Sequence, residues 1–236
     1  VVGGRALLAL IASAPAVVEG GRARGISEQQ GWHSLSDLGQ QMWVHRRTFG
    51  GFGLHTFGWL NLAWSGALQW LGRLQFNLHR PRAVEGAAPT EWWLSVHIPE
   101  RGPLDPASVQ ESMAAALDFF ADHFPEAPVT KLHCDSWLLD PYLAEQLPGT
   151  NMAAFCELWT PAGRRGAGNG DALFFTFRRR GEIRDAAHPD APLVLTELPQ
   201  ESRLQRLVVQ RIIDGGQWET VEGTLELDQV SGRATA

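Results

Sequence analysis

The sequence predicts a mixed α/β (α+β) fold, in which a twisted mixed β-sheet is flanked by helices and preceded by a helical N-terminal region. Three observations predict it. Apolar residues recur at helical spacing in about the first fifty positions, and residues 68–78 alternate between apolar and polar. A helical segment also separates two apolar strands, which allows a parallel crossover. The 236 residues suffice for one large domain or two small ones, and a hydrophobic content of 44% suffices for a full core.

Composition and charge exclude several classes of protein. With 20 Lys and Arg against 26 Asp and Glu, the net charge is −6, which argues against a nucleic-acid binder that relies on phosphate contacts. The two cysteines, Cys134 and Cys156, have no paired spacing, so a disulfide scaffold and a Cys-rich zinc module are excluded. We therefore expect a cytoplasmic protein with no nucleic-acid partner, no membrane partner and no metal.

The N-terminal segment has two interpretations. Residues 6–18 form the longest apolar run, broken by Pro15 and too short to span a bilayer. One interpretation is a buried helix that ends near Pro15. The other is a secretory signal, with Arg5 before the apolar stretch and a possible cleavage site at residues 12–14. Because residue 1 is Val, we expect the chain to be truncated at its start. A further helix is expected to begin near residues 34–37.

The middle of the chain predicts a hairpin and a linker. Residues 59–64 resemble a strand and residues 65–66 a turn, so that the alternating run 68–78 forms the second strand. Residues 81–90, rich in Pro, Gly and Ala, are then a linker. We expect two domains, a helical region with a hairpin at 1–80 and a second domain at 91–236.

The second half predicts alternating strands and helices. Strands are expected at 92–98, 129–135, 151–159, 172–178 and 219–227, with a Gly-rich turn at 163–170. Asp105 and Pro106 are a good cap and first residue for a helix that stops before Pro125. Shorter helical patterns cover 141–147 and 199–214.

The strand, loop and helix over residues 93–124 form the first candidate site. A helix that begins directly after a strand presents free N–H groups and a positive dipole end to an anion such as a diphosphate. Gly102 would let the backbone approach a ligand closely. The alternative is an ordinary crossover helix with an Asp cap.

Two further sets of polar residues are candidates. The polar side of the alternating run would line a substrate groove or form a solvated strand face; its members are Arg73, Gln75 and Asn77. A second set has the residue types for nucleophilic catalysis or metal binding, but it lacks a nucleophile elbow and metal-ligand spacing. This set comprises His97, His133, Cys134, Asp135, Ser136 and Asp140, with Ser136 as its candidate catalytic hydroxyl.

Tryptophan is abundant, with ten residues. Exposed Trp side chains stack on sugars, whereas buried ones belong to the core with the indole N–H bonded. A Trp-rich carbohydrate-binding module is therefore a separate alternative.

Three segments together carry a resemblance to a known family. They are Leu-Gly-Arg-Leu-Gln-Phe at 71–76, Val-His-Ile-Pro at 96–99 followed by Gly-Pro-Leu at 102–104, and Cys-Asp-Ser-Trp-Leu-Leu-Asp-Pro at 134–141. Over about residues 24–218 the sequence resembles bacterial, mainly actinobacterial, proteins that join an N-acyltransferase N-terminal domain to a GNAT-like C-terminal domain.

The resemblance implies a GNAT-like fold and an acyl-CoA-dependent N-acyltransferase. The co-substrate would be acetyl-CoA or another acyl-CoA, and the acceptor an amine of a small molecule or peptide. In that superfamily the fourth strand and the next helix N-terminus bind acyl-CoA. Here this implies residues Val96, Ile98, Arg101, Gly102, Leu104 and Ser108. The family's glycine-rich loop is degenerate in this chain, because it keeps one Gly and adds Pro103, which has no N–H.

The resemblance also implies roles for individual side chains. His97 is the candidate base, because the ordinary pKa of histidine lies near working pH. Tyr142 is the candidate acid for the leaving thiolate. Arg73, Gln75 and Asp135 are candidates for acceptor binding, although the family often has His where Asp135 stands. The alternative within the fold is a non-catalytic ligand-binding protein that has lost the CoA loop.

Overall fold

The computed structural model describes residues 2–81 and 91–231. The chain divides into two compact units, one of Val1–Cys134 with Thr224–Ala236 and one of Asp135–Gly223. Except for Pro81, the expected linker at 81–90 lies outside the described residues, and the domain boundary proposed from the sequence stays a prediction.

The first unit begins with the expected helical region. Its helices are α1 (Gly4–Arg22), α2 (Glu28–Leu35), α3 (Asp37–Phe49) and α4 (Phe57–Trp64). The expected end of α1 near Pro15 is wrong, because the helix continues to Arg22. Ala14 and Val18, on either side of the proline, are buried in one apolar cluster, and this packing keeps the helix continuous.

Helix α1 has the length and apolar composition of a membrane span, with a mean hydropathy of 1.2. A core helix and a signal sequence share these properties. In the described chain Leu7, Leu10, Ala14 and Val18 form its buried side.

Helix α4 replaces the strand expected at residues 59–64. Leu60 and Ala63 are buried three positions apart, as on one side of a helix. The indole of Trp64 donates to the Leu10 carbonyl at 2.9 Å, which ties α4 to α1. The apolar run was therefore too short to distinguish a strand from a buried helix by periodicity.

The hairpin lies entirely within the alternating run. Strands β1 (Leu68–Leu71) and β2 (Leu74–His79) are antiparallel, and Leu71 pairs with Leu74 across a two-residue turn. The expectation of a single strand here is wrong because Gly72, with φ of 65°, supplies the left-handed conformation of such a turn.

Strand β3 (Trp92–His97) pairs antiparallel with β2 and parallel with β4 (Val129–Ser136). Helix α5 (Pro106–His123) makes the expected crossover between them. In the strand order, the end of β6 at residues 224–226 lies next to β4, where Lys131 Nζ contacts Glu226 Oε1 at 2.6 Å.

Apolar side chains of the sheet and of α5 form a buried core in the first unit. The strands supply Leu74, Phe76, Leu94, Val96 and Leu132, and the helix supplies Val109, Met113, Ala116 and Phe120. The Asp105 side chain caps α5 by accepting from the Ser108 N–H at 3.0 Å, as its sequence predicts.

The second unit contains most of the remaining elements. Its helices are α6 (Pro141–Gln146), α7 (Asn151–Cys156), α8 (Asn169–Phe177) and α9 (Arg203–Ile213). Its strands are β5 (Thr160–Ala167) and the first part of β6 (Glu219–Glu226), whose residues 224–226 belong to the first unit. The helix expected at 199–214 is confirmed as α9, with a capping box between Ser202 and Gln205. The last helix, α10 (Leu227–Ser231), belongs to the first unit.

Three expectations for the second unit are wrong. Residues 151–156 and 169–177 are helices rather than strands, and the Gly-rich segment forms β5 and the start of α8. The Thr150 hydroxyl caps α7 by accepting from the Ala153 N–H at 3.2 Å. The Trp218 N–H donates to the Asn169 side chain at 2.7 Å, which fixes the first turn of α8.

Strand β5 is the last strand in the order and pairs with β6. Nearly all its residues are exposed, among them Pro161, Arg164 and Arg165. Arg165 forms an ion pair of 2.6 Å with Glu219 on β6.

Candidate functional site

Strands β3 and β4 separate near the middle of the sheet. Their parallel pairing ends at Ser95 and His133, whereas Val96 and His97 continue to pair with Phe76 and Gln75 of β2. In the described sheet, the main chain of Val96 and His97 therefore has no strand partner on the side of β4. Because neighbouring residues of a strand point their N–H and C=O to opposite edges, one of these two residues presents its main-chain groups to a ligand there.

The loop from β3 to α5 follows directly. Gly102 has φ of 68°, and a Cβ atom built there meets nothing within 4 Å, so the space beside it is open. Arg101 is exposed, whereas Leu104 is buried and anchors the loop. The chain therefore presents an open, cation-bearing backbone segment before a helix N-terminus.

Ser108 is engaged with the cap of α5. Its hydroxyl donates to Asp105 Oδ2 at 2.5 Å, and its N–H donates to Oδ1 of the same carboxylate. Hydrogen bonds from the Ser108 hydroxyl and N–H lower the pKa of Asp105. The first turn of α5 thus already carries one negative charge.

His97 lies at the end of β3, where β3 and β4 separate. Its Nε2 is 2.5 Å from Asn77 Oδ1. Because an amide oxygen only accepts, Nε2 carries the proton and Nδ1 the lone pair. Burial, followed by the electrostatic effect of the neighbouring His133 and His79, lowers the pKa of His97 to about 4. His97 is therefore neutral at pH 7, and its role as base stays a prediction.

The polar side of the strands is buried rather than solvated. Gln75, Asn77, Ser95 and His133 are each at most 8% exposed. The Ser95 hydroxyl lies 3.1 Å from His133 Nδ1, and the His133 ring stacks on His79 with centroids 5.2 Å apart. Hydrogen bonds between Ser95 and His133 and between Asn77 and His97 thus satisfy polar groups of this row, whereas the side-chain nitrogen of Gln75 makes no hydrogen bond of ordinary geometry within the described chain.

A buried carboxyl group beside this row was missed by the sequence analysis. Asp37, which is 0% exposed, accepts from Trp59 Nε1 at 2.8 Å, and the Trp59 indole also packs edge-on against His97 with centroids 4.7 Å apart. Burial raises the pKa of Asp37, although hydrogen bonds from Trp59, Gln41 and Gln75 oppose this shift. An acidic residue on the apolar side of a helix is the signal that could have found it.

Arg73 lies in the β1–β2 turn and donates to main-chain carbonyls of the loop after β3. The hydroxyl of Ser112, on the inward side of α5, accepts from the Arg73 N–H at 2.6 Å. The sequence analysis did not single out Ser112. The signal was a hydroxyl at an inward helical position beside Val109 and Met113.

The remaining candidates lie in the second unit. Asp135 is exposed. The pKa of Asp171 is raised mainly by burial and secondly by the nearby charge of Asp135. The Ser136 hydroxyl accepts from the Leu138 N–H at 3.2 Å. The Tyr142 ring lies 4.0 Å from the guanidinium of Arg211. The six-residue set proposed from the sequence is thus divided, with His97, His133 and Cys134 in the first unit and Asp135, Ser136 and Asp140 in the second.

The metal-binding potential of the described residues and the reactivity of the two cysteines depend on their grouping and burial. Within residues 2–81 and 91–231, His, Cys, Asp and Glu form no group suited to hold a metal ion. Cys134 is buried. Burial, and then the carboxylates of Asp140 and Glu157, raise the pKa of Cys156 to about 11, so this thiol is not a ready nucleophile.

Antiparallel β2–β3 pairing, a parallel β3–β4 pair that separates, and a crossover helix between them are together typical of a GNAT-like acyltransferase. Residues 68–225 match the GNAT-like C-terminal domain, and residues 2–66 match the N-acyltransferase N-terminal domain. The chain belongs to this family of N-acyltransferase and GNAT-like domains. No curated protein matches it.

Solved structures of acyltransferases have the same fold. An acyltransferase in complex with CoA and 10C-teicoplanin superposes with a TM-score of 0.81 at 33% identity, over 92% of this chain and 64% of that one. An acyltransferase in complex with decanoyl-CoA and teicoplanin gives 0.81 at 34% identity, and a mutant in complex with octanoyl-CoA gives 0.80 at 34%, both with the same coverage of 92% and 64%. The chain thus spans 64% of the length of these relatives.

Proposed function

We propose that the protein transfers an acyl group from an acyl-CoA to an amine. The observation that carries the proposal is the separation of β3 and β4 after Ser95, next to an open loop and the start of α5. Related acyltransferases were solved with CoA, octanoyl-CoA and decanoyl-CoA. Medium-chain acyl-CoAs are therefore the first donors to test.

The loop fits an acyl-CoA in some respects and departs in others. The space beside Gly102 and the exposed cation of Arg101 favour a diphosphate, whereas Pro103 contributes no N–H and Asp105 adds a negative charge. The main chain of Val96 and His97 would bind the amide-bearing arm of the donor. This combination predicts binding with moderate affinity.

The reaction joins the acceptor nitrogen to the thioester carbon and breaks the carbon–sulfur bond. A base removes one proton from the nitrogen, and an acid returns one to the CoA sulfur. A main-chain N–H near His97 would stabilise the oxyanion. His97 is our candidate base through Nδ1, and Tyr142 and Ser136 are candidates for the acid. A pKa of about 4 keeps His97 in its proton-accepting form at pH 7.

The acceptor is proposed to be an amine of a small molecule or peptide. Two related acyltransferases were solved with teicoplanin or 10C-teicoplanin, which makes a glycopeptide amine the best-supported acceptor. Gln75, Asp135 and the buried polar row are the candidate contacts.

The test combines binding with turnover. The protein is heated with acetyl-, octanoyl- and decanoyl-CoA, and a donor present at about one hundred times its Kd should raise Tm by roughly 5–10 °C. Release of free CoA is then followed with teicoplanin and with simple amines. A Tm that no acyl-CoA raises would favour the non-catalytic ligand-binding protein.

A carbohydrate-binding module is a second outcome of the same experiment. Trp32 and Trp43 are each 44% exposed, whereas Trp70 and Trp93 are buried. A change of tryptophan fluorescence with sugars, and none with any acyl-CoA, would support that alternative.

A further inference from the structure

The side chain of Arg73 is bound to the main chain of the loop that follows β3. Its Nε donates to the Pro103 carbonyl at 2.8 Å, Nη1 to that of Pro99 at 3.0 Å, and Nη2 to that of Gly102 at 3.0 Å. All three guanidinium nitrogens thus bind the loop. A planar fork with five donors is suited to such a set of carbonyls, whereas a single ammonium group is not.

The backbone of the same turn is bound to α5. The Arg73 N–H donates to Ser112 Oγ at 2.6 Å, and Ser112 is 2% exposed. A Cβ atom at Gly72 would lie 2.5 Å from the same hydroxyl, so the turn approaches α5 this closely because residue 72 is glycine. Arg73 is therefore held in place by the helix that follows the loop it binds.

These bonds determine which way the loop's peptide groups point. The described peptide bonds are all trans, so the carbonyl and N–H of each peptide group point in opposite directions. With the carbonyls of Pro99 and Pro103 facing Arg73, the N–H groups of Glu100 and Leu104 face away from it. The carbonyl partners leave the guanidinium charge in place beside the loop, where it also interacts with the Asp105 carboxylate.

We propose that Arg73 is a positioning residue for the donor: it holds residues 99–104 in the shape that receives the diphosphate of an acyl-CoA just before the N-terminus of α5. This inference rests on the proposed function. It differs from the role in acceptor binding expected from the sequence, because the guanidinium is already occupied by the loop. It also explains how a loop with two prolines, Pro99 and Pro103, and one glycine keeps a defined shape.

The kinetic test separates the two roles of Arg73. In Arg73→Lys, KM for the acyl-CoA should rise about 10-fold, since several charge-assisted hydrogen bonds are lost, while kcat and the KM for the acceptor stay within about 3-fold. Arg46→Lys, an exposed residue of α3, is the matched control and should leave all three constants unchanged. A raised acceptor KM with an unchanged acyl-CoA KM would overturn the proposal.

A second measurement does not depend on acyl transfer. Amide hydrogen exchange is compared in wild type, Arg73→Lys and Arg46→Lys without any ligand. Exchange at residues 100–104 should be at least about 10-fold faster in Arg73→Lys alone, because the loop loses its anchor. Unchanged exchange there would refute loop positioning even in an active enzyme. Faster exchange in a protein that binds no acyl-CoA would instead support the positioning and reject the proposed function.

Discussion

His97 is held by one hydrogen bond to Asn77 and lies close to two other histidines. If its Nδ1 accepts the acceptor's proton, His97→Gln should lower kcat by about 10²–10⁴-fold at pH 7. His188→Gln, an exposed histidine of the second unit, should leave kcat unchanged. Steady-state turnover with a fixed donor and acceptor measures both. An active His97→Gln variant would remove His97 from the mechanism.

The lowered pKa of His97 also predicts how stability depends on pH. The unfolded chain binds a proton near pH 6.5 and the folded chain only near pH 4. The stability that the protein gains from holding His97 neutral is therefore fully present above about pH 6.5. It is lost as the pH falls towards 4, by at most about 1.4 kcal/mol per pH unit.

Urea unfolding of wild type and His97→Gln between pH 4 and pH 7.5 measures this slope. Since glutamine does not titrate, the variant should lose less stability than wild type over the same interval. Equal slopes in the two proteins would contradict the pKa assigned to His97.

At the scale of elements, Asp140 connects three parts of the second unit. Its carboxylate accepts from the Tyr142 N–H of α6 at 3.0 Å and from the Glu219 N–H of β6 at 2.9 Å, and it pairs with Arg211 of α9 at 2.8 Å. Both members of the pair are largely buried, with side chains 3% and 16% exposed. Loss of one partner leaves the other charge without compensation.

Asp140→Ala should therefore lower the free energy of unfolding by about 3–5 kcal/mol. Asp190→Ala, at an exposed position of the same unit, should change it by less than about 0.5 kcal/mol. Chemical denaturation with unchanged m-values measures both. A small effect at Asp140 would show that the ion pair contributes little.

Some helices and strands could be predicted from sequence patterns and others could not. Helix α5 was predictable because Asp105, Pro106 and the residue pattern all indicate the same boundaries. The helices α4, α7 and α8 were not predictable. Each is a short apolar run, and whether such a run becomes a helix or a strand depends on tertiary partners such as Asp37 and Trp218. The hairpin was misplaced because the alternation continues through Gly72.

The location of the candidate site could be predicted from the sequence, but the contacts of its side chains could not. Its location at the strand–loop–helix over β3 and α5 follows from local sequence and from the family resemblance. The partners of its side chains could not be predicted from local sequence. Asp37 and Trp59 come from the helical N-terminal region, and Ser112 comes from a helix face whose residue pattern indicates core packing. Contacts between residues distant in sequence decide whether Arg73 binds an acceptor or a loop.

For the whole molecule, the net charge of −6 should oppose an anionic donor, whereas Arg73 and Arg101 attract it. At an ionic strength of about 0.1 M the Debye length is about 10 Å, so distant acidic residues are largely screened and the nearby cations dominate. KM for the acyl-CoA should therefore rise between about 0.1 and 0.5 M KCl. Arg101→Gln should show a smaller rise. A KM that falls with salt would mean that the net charge dominates.

The exposed strand β5 has a consequence for solubility. As the last strand in the described sheet it leaves main-chain donors and acceptors without a neighbouring strand, and such an edge is a template for self-association. Pro161 removes one donor, Gly163 with φ of 91° interrupts the regular backbone, and the exposed Arg164 places a charge where a second copy would dock. The Pro, Gly and Arg residues of this segment thus disfavour the addition of a second strand at the β5 edge of the sheet.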